Sequence, residues 1–348
     1  MERKINFFPV NLLKGAAMNK TWNLIGVLCL LLSLIIGPAR SAGAKTYIAY
    51  ISDSTNASVI YWLAKEAGIY KKHGLDLELI YLNGSVRGIQ SLIAGDLGYT
   101  GAVGTAVINA RLAGGDLAII QSQMNTLPYF IVGNPKIKSP EELQGKSAAV
   151  HIPGTSADFA LRLALMKVGI PYKEIKAVTV GGGPARIAAV ATGQMDFTVV
   201  TEGEKIQGEK LGLKVILDMA KLKVPFQFNC SVTTRKRIRE NPDEARRVVL
   251  AMVESIHFFK THKEESVKVM QKYTRGLSRA IIEGAYAANR DLLVDDGYPT
   301  LEGLKNTLDV QALSDPKAAK AKVEDFVELR FVDELRKSGF VEKLYGRR

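Results

Sequence analysis

Residues able to do covalent chemistry are few in this chain and badly placed for it. Of His73, His151, His257 and His262, only the last two are close in sequence. They sit five apart on a helical stretch, not at the i, i+4 spacing that puts two imidazoles on one face for a metal. Cys230 lacks a CxxC companion and a neighbouring histidine, so it reads as a buried, inert thiol. Gly181, Gly182 and Gly183 run into Pro184 instead of the Gly-Lys-Ser/Thr that closes a phosphate loop. The sequence therefore predicts no enzyme, no metal and no cofactor. What recurs is different: small hydroxyl, carboxylate and glycine residues placed just after apolar, β-rich stretches, the chemistry of hydrogen-bonded capture without conversion.

Those residues come in clusters. Ser52, Asp53, Ser54 and Thr55 follow "KTYIAYI", and Ser85 follows "LDLELIYL". Gly154, Thr155 and Ser156 follow "SAAVHI", and Thr201 and Glu202 follow "MDFTVV". Each type has a second use, because Ser and Asp also serve as turn and N-cap residues. Thr155 with Asp158 fits a capping box, which would commit the Thr155 hydroxyl to its own helix and leave Ser156 and the free N–H groups as donors. Gly101 and Ala102 in "GAVGT", and Gly182 and Gly183, bring backbone close to a ligand or form tight turns. Gln123 and Asn125 stand where a strand ends and are candidate polar pins. Arg87 and Arg186 favour an anion, whereas Asp53 and Glu202 favour an amine or aromatic nitrogen; a zwitterion or heterocycle satisfies both, and the ligand stays open.

The elements that must position these clusters repeat. "GIQSLIAGDLGYTG" begins at Gly88, and 98 residues later "RIAAVATGQMDFTVV" restates it. Ile89 matches Ile187, Leu92 matches Val190, Gly95 matches Gly193, Tyr99 matches Phe197 and Thr100 matches Thr198: an apolar helix face, a glycine stop and an apolar strand. Strands and helices alternate throughout, which predicts parallel βαβ units and an α/β fold. "SPEELQG" (139–145) reads as a one-turn helix with Ser139 as N-cap, Pro140 first, Glu142 as capping partner and Gly145 as stop, after which the pattern restarts. Two similar lobes are expected, each a mainly parallel sheet flanked by helices: 45–130 with 228–348 as lobe 1, and 131–227 as lobe 2. Beyond Asn241 and Pro242 the chain is helical, with Val248, Val249, Met252, Val253, Ile256 and Phe259 on one side. In open parallel sheets ligands bind beyond the strand carboxyl ends, where helix N-termini direct N–H groups into the crevice. Two such half-sites would face each other across a cleft.

The first 44 residues read as an export signal. Lys20 precedes an uncharged apolar run from Leu24 to Ile36, followed by Gly37, Pro38 and the small-residue site Ala42-Gly43-Ala44. The run is too short for a membrane span. Met18 begins a complete signal by itself, and Cys29 lacks the small residue before it that lipid anchoring requires. Cleavage after Ala44 would remove five basic residues and Glu2, lowering the net charge from +12 to about +8. The remaining basic residues are interleaved with acids along helices, a solvated surface and not a nucleic-acid face.

Four phrases carry a resemblance: "YWLAKEAGIYKKHGLDLELI" (61–80), "GIQSLIAGDLGYTG", "IKSPEELQGKSAAVHIPGTS" (137–156) and "ARIAAVATGQMDFTVV". In this order and spacing, from about Lys45 to Val232, the chain resembles the nitrate/sulfonate/taurine solute-binding proteins of ABC transporters, which include relatives of the thiamine-pyrimidine synthases. The resemblance implies a type II periplasmic-binding-protein clamshell with two hinge crossovers. It implies a monomer in the periplasm that hands a small molecule to an inner-membrane permease with its ATPase. A ligand-sensing receptor subunit would use the same closing clamshell. The synthases of eukaryotes carry a cysteine-rich motif that this sequence lacks.

Overall fold

The computed structural model describes residues 45–52, 55–153, 155–222, 224–274, 276–312 and 315–347. The expected Asp53, Ser54 and Gly154 contacts and the N-terminal signal lie outside the described residues. Two five-stranded sheets organise the rest. The chain runs β1 (Thr46–Tyr50), α1 (Thr55–Glu66), α2 (Ile69–Lys72), β2 (Leu77–Tyr81), α3 (Ser85–Ala94), β3 (Tyr99–Val103), α4 (Gly104–Leu112) and β4 (Leu117–Ser122). The second sheet is built from β5 (Phe130–Gly133), β6 (Ser147–Val150), α5 (Ser156–Lys167), β7 (Lys176–Thr179), α6 (Gly183–Ala191), β8 (Phe197–Val200), α7 (Glu202–Lys210) and β9 (Lys214–Asp218). The return strand β10 (Asn229–Thr234) leads into α8 (Arg235–Glu240), α9 (Pro242–Thr261), α10 (Lys263–Tyr273), α11 (Arg279–Leu292), α12 (Leu301–Ala312), α13 (Pro316–Lys320), α14 (Arg330–Lys337) and α15 (Phe340–Leu344).

Strand order is β2-β1-β3-β10-β4 in one sheet and β7-β6-β8-β5-β9 in the other. Each has a parallel core: β1 lies between β2 and β3, and β6 lies between β7 and β8. One strand in each, β10 or β5, runs antiparallel to both of its neighbours. The sequence repeat is also a repeat of register, since Ile48 faces Tyr99 in one sheet as Ala148 faces Phe197 in the other. Gly95 and Gly193 both take positive φ, 89° and 76°, a left-handed helix stop that glycine adopts without a Cβ clash. The protein is thus an α/β fold of two similar lobes.

The chain passes between the sheets twice, at 123–129 and 219–228, and the two crossovers bond to each other. The Phe226 amide donates to the Asn125 carbonyl and the Phe228 amide to the Met124 carbonyl, both at 3.0 Å. The stretch from Val224 is β-rich and opens with Pro225, yet the strand ladder of β10 begins only at Asn229. Helix α9 buries Val248, Val249, Met252, Val253, Ile256 and Phe259 against Ile48, Tyr99 and Ile120 of the first sheet. "PEEL" forms a 3-10 turn, Pro140–Leu143, and Glu142 Oε2 accepts from the Lys138 amide at 3.0 Å instead of capping Ser139. Among the described residues, no helix is long and apolar enough to cross a membrane.

Candidate functional site

The carboxyl ends of the parallel strands in both sheets open onto one cavity of about 980 Å³. The first lobe contributes Ile51 and Ser52 beyond β1, Asn83 to Ser85 beyond β2, and Val103 and Thr105 at the β3–α4 junction. The second contributes His151 beyond β6, Thr155 and Ser156 at the start of α5, and Thr201 beyond β8. The crossovers add Tyr129 and Phe228, whose rings meet edge to face at 5.7 Å. Helices α3 and α5 begin at this wall, so their unpaired amides supply donors wherever a polar ligand group reaches them.

No lysine, arginine, aspartate or glutamate lines the cavity among the described residues. Its polarity comes from neutral groups. Tyr129 Oη and Ser156 Oγ are 2.8 Å apart, and burial pushes the Tyr129 phenol up to about 12 despite that bond. The His151 imidazole is held below its ordinary value, first by desolvation and then by the nearby Arg186 charge, with Glu204 opposing. Its Nδ1 is buried and has no hydrogen-bond partner among the described residues. At pH 7 it is a neutral ring able to donate or accept one bond.

Several polar residues around the cavity are committed to the frame. Arg186, 4% exposed, donates to the Gly181 carbonyl (2.5 Å), the Val199 carbonyl (3.0 Å) and Thr198 Oγ1 (3.2 Å). It ties two strand ends together and does not present a fork to a ligand. Glu204 Oε2 accepts from the Thr201 amide at 2.8 Å and the Thr201 hydroxyl at 3.1 Å, holding the mouth of α7. The Thr155 hydroxyl donates to the Ile152 carbonyl at 2.8 Å and makes no cap bond to α5, so the Thr155 half of the expected capping box is not formed. Ser85 Oγ accepts from the Val103 amide at 3.1 Å and links two turns of the first lobe.

Of the residues singled out from sequence, Ser52, Ser85, Thr155, Ser156 and Thr201 come together on this cavity. Thr55 is buried at the first position of α1. Gly101 backs the Tyr61 ring, where a Cβ would lie 3.1 Å away, and the Ala102 carbonyl accepts from Cys230 Sγ. Gln123 Nε2 donates to Tyr61 Oη at 2.8 Å inside the first lobe. Asn125 belongs to the crossovers, bonding Ser122 and the Tyr298 carbonyl. Gly182 is exposed at the N-cap of α6, Gly183 packs against the Glu204 carboxylate, and Glu202 pairs with Lys205 at 2.7 Å. Arg87 is exposed and off the cavity wall. Tyr129, Asn83 and Phe228 were not signalled by composition; only their place at a strand end or crossover distinguishes them.

Comparison with known proteins agrees with this architecture. Proteins of Brucella abortus and Brucella melitensis, bearing only the general designation of binding protein, are each 26% identical over 254 residues, spanning 71% of this chain and 76% of theirs. The solved structure of the periplasmic aliphatic sulphonate binding protein of Escherichia coli superposes with a TM-score of 0.71 at 19% identity, covering 81% of this chain and 91% of that one. The periplasmic nitrate-binding protein of Synechocystis gives a TM-score of 0.66 at 16% identity, covering 86% and 89%. The profile described as "NMT1/THI5 like" matches residues 55–266, well over half of the sequence and nearly all of both sheets, and the chain belongs to that NMT1/THI5-like family.

Proposed function

We propose that this protein is the solute-binding component of an ABC importer, capturing a small organic molecule between its lobes and passing it to an inner-membrane permease and its ATPase. The observation that carries the reading is a cavity walled by strand ends from both sheets. A ligand held there touches both lobes, so its binding energy favours the closed form, and the crossovers at 123–129 and 219–228 are the hinge. The neutral wall supports capture through hydrogen bonds and helix amides, suited to a carboxylate, sulfonate, zwitterion or pyrimidine-like heterocycle. Among the described residues of the wall there is no activated nucleophile with its base.

The same reading places the protein in the periplasm as a monomer, without its first 44 residues. N-terminal sequencing of periplasmic protein should return Lys45, and recovery of residues 18–44 in the membrane fraction refutes export with cleavage. A melting-shift screen of mature protein against carboxylates, sulfonates, amines and pyrimidines tests capture. A true ligand at a hundredfold excess over its Kd stabilises the fold by about 2.7 kcal/mol. Absence of any shift, or product formation at catalytic rates, overturns the proposal.

A further inference from the structure

The cavity is not confined to the strand ends. It continues between α3 and α4 of the first lobe, where each helix offers one face. On α3 the wall is Val86, Ile89, Gln90 and Ile93, and on α4 with its C-cap it is Ala106, Asn109, Ala110 and Ala113. Both sets have i, i+3, i+4, i+7 spacing, the single stripe of a helix. One stripe is bulky and branched and the other is mostly a single methyl group deep, so a trough runs between them. Gly115 lies at its far end, where a Cβ would come within 3.2 Å of the Ile93 Cδ1. Val86 is 63% exposed and Ile93 is 52% exposed. Large apolar side chains left exposed along a cavity wall are informative, whereas scattered ones are not.

Comparison of the two repeats separates this surface from what the fold requires. Ile89 and Leu92, which pack α3 onto its sheet, correspond to Ile187 and Val190 of α6, and all four are buried. Val86 and Ile93 correspond to Pro184 and Ala191. The second lobe builds the same βαβ unit without the branched pair, so the pair is not needed for packing. Size points the same way. Ligand sites commonly occupy about 300–1,000 Å³, and this cavity, at about 980 Å³, stands at the upper end. A solute of only a few heavy atoms would occupy a small part of it.

Resting on the solute-binding reading, we propose that the ligand is elongated and amphipathic: its polar head lies at Tyr129, His151, Ser156 and Thr201, and its apolar chain or ring system lies in the α3–α4 trough. From Val86 to Ile93 the trough follows seven residues of helix, about 10 Å long, the reach of a medium-length alkyl chain or two fused rings.

The test uses mature protein and straight-chain alkanesulfonates, alkanecarboxylates and primary alkanamides from ethyl to octyl, with Kd measured by calorimetry. For the head group that binds, affinity should climb about threefold to fourfold per methylene until the trough is filled. Ala110→Leu fills the trough from the α4 side, and Ile93→Ser strips its outer wall; each should cut the octyl-to-ethyl affinity ratio at least tenfold. Two variants on different helices guard against one that fails to fold, which its melting curve reveals. Flat affinity along every series, or a ratio that both folded variants leave intact, overturns the trough. A compact polar solute that shifts the melting temperature while no chain-length dependence is seen rejects the trough and retains solute capture; loss of both rejects both.

Discussion

Replacing Glu204 with alanine should destabilise the second lobe chiefly through Arg186, a residue to which it makes no hydrogen bond. The Arg186 guanidinium is deeply buried and bonded to two carbonyls and a hydroxyl, but its nearby negative charge is Glu204, at 4.0 Å. Two unit charges at that distance attract by about 4 kcal/mol at an effective dielectric near 20. The Glu204 side chain is 23% exposed, and screening reduces this to about 2 kcal/mol. Truncation also removes the acceptor of the Thr201 amide and hydroxyl, worth about 1 kcal/mol. The expected cost is about 3 kcal/mol, a fall in Tm of about 5 °C for a chain of this size. Calorimetric melting of mature wild type, Glu204→Gln, Glu204→Ala, Arg186→Met and the Arg186→Met/Glu204→Ala double variant separates the two contributions. Glu204→Gln keeps an acceptor for Thr201 and loses the charge, so it should show about two thirds of the alanine effect. In the double variant no charge is left buried alone, and its loss should be smaller than the sum of the singles by about 2 kcal/mol. Additivity within about 0.5 kcal/mol would refute the pairing and leave Arg186 held by its carbonyls.

Gly183→Ala should reproduce much of that defect, because its Cβ would lie 1.5 Å from Glu204 Oε1 and must expel the carboxylate; a Tm within about 1 °C of wild type contradicts the close approach. At His151 the folded imidazole is held below its ordinary value of 6.5, so the unfolded chain takes up the proton first as pH falls. Its contribution to stability is complete above that value and is lost as pH falls through the folded one. Wild type should therefore lose more Tm than His151→Gln between pH 7 and 5, and parallel curves argue against it. For whichever solute the screen identifies, Ser156→Ala and Tyr129→Phe should weaken binding by about 1–3 kcal/mol. Glu202→Ala, whose carboxylate pairs with Lys205 off the cavity wall, should change affinity less, and the reverse order places the head-group site elsewhere.

The repeated phrase made the architecture legible because it encodes packing, and packing is local. An apolar helix face, a glycine at positive φ and a β-rich strand recur in both lobes with the same register. The strand ends followed from that, and with them Ser52, Ser85, Ser156 and Thr201. Which way a side chain points at a strand end was less legible, since successive residues face opposite sides. Gln123 stands one residue beyond β4 and turns into the lobe toward Tyr61, while Ser52, two residues beyond β1, faces the cavity. Short polar loops were also ambiguous. Thr155 has a partner at the capping-box position, yet its hydroxyl finds the Ile152 carbonyl first. Tyr129 and Phe228 were hidden for a different reason: they meet only because two crossovers nearly a hundred residues apart run side by side.

The division between repetition and departure from it has a physical basis. Positions that fix the sheet must satisfy the same backbone and packing constraints in both lobes, so Ile89 and Ile187, or Thr100 and Thr198, stay alike. Positions that meet a ligand face different parts of one asymmetric molecule and have no reason to match. Arg186 is buried and spans two strand ends of the second lobe, whereas Arg87, one helical position away from its counterpart, is exposed on the first. Val86 and Ile93 stand where the second lobe has Pro184 and Ala191. Hydrogen-bonding groups of both lobes line the strand-end wall, and the first lobe adds apolar depth along α3 and α4. If that division is correct, substitutions in α3 and α4 should act on chain-length preference, and substitutions at Tyr129, His151, Ser156 and Thr201 on head-group preference. The two effects should combine additively, because the two sets contact different groups at separate ends of the ligand.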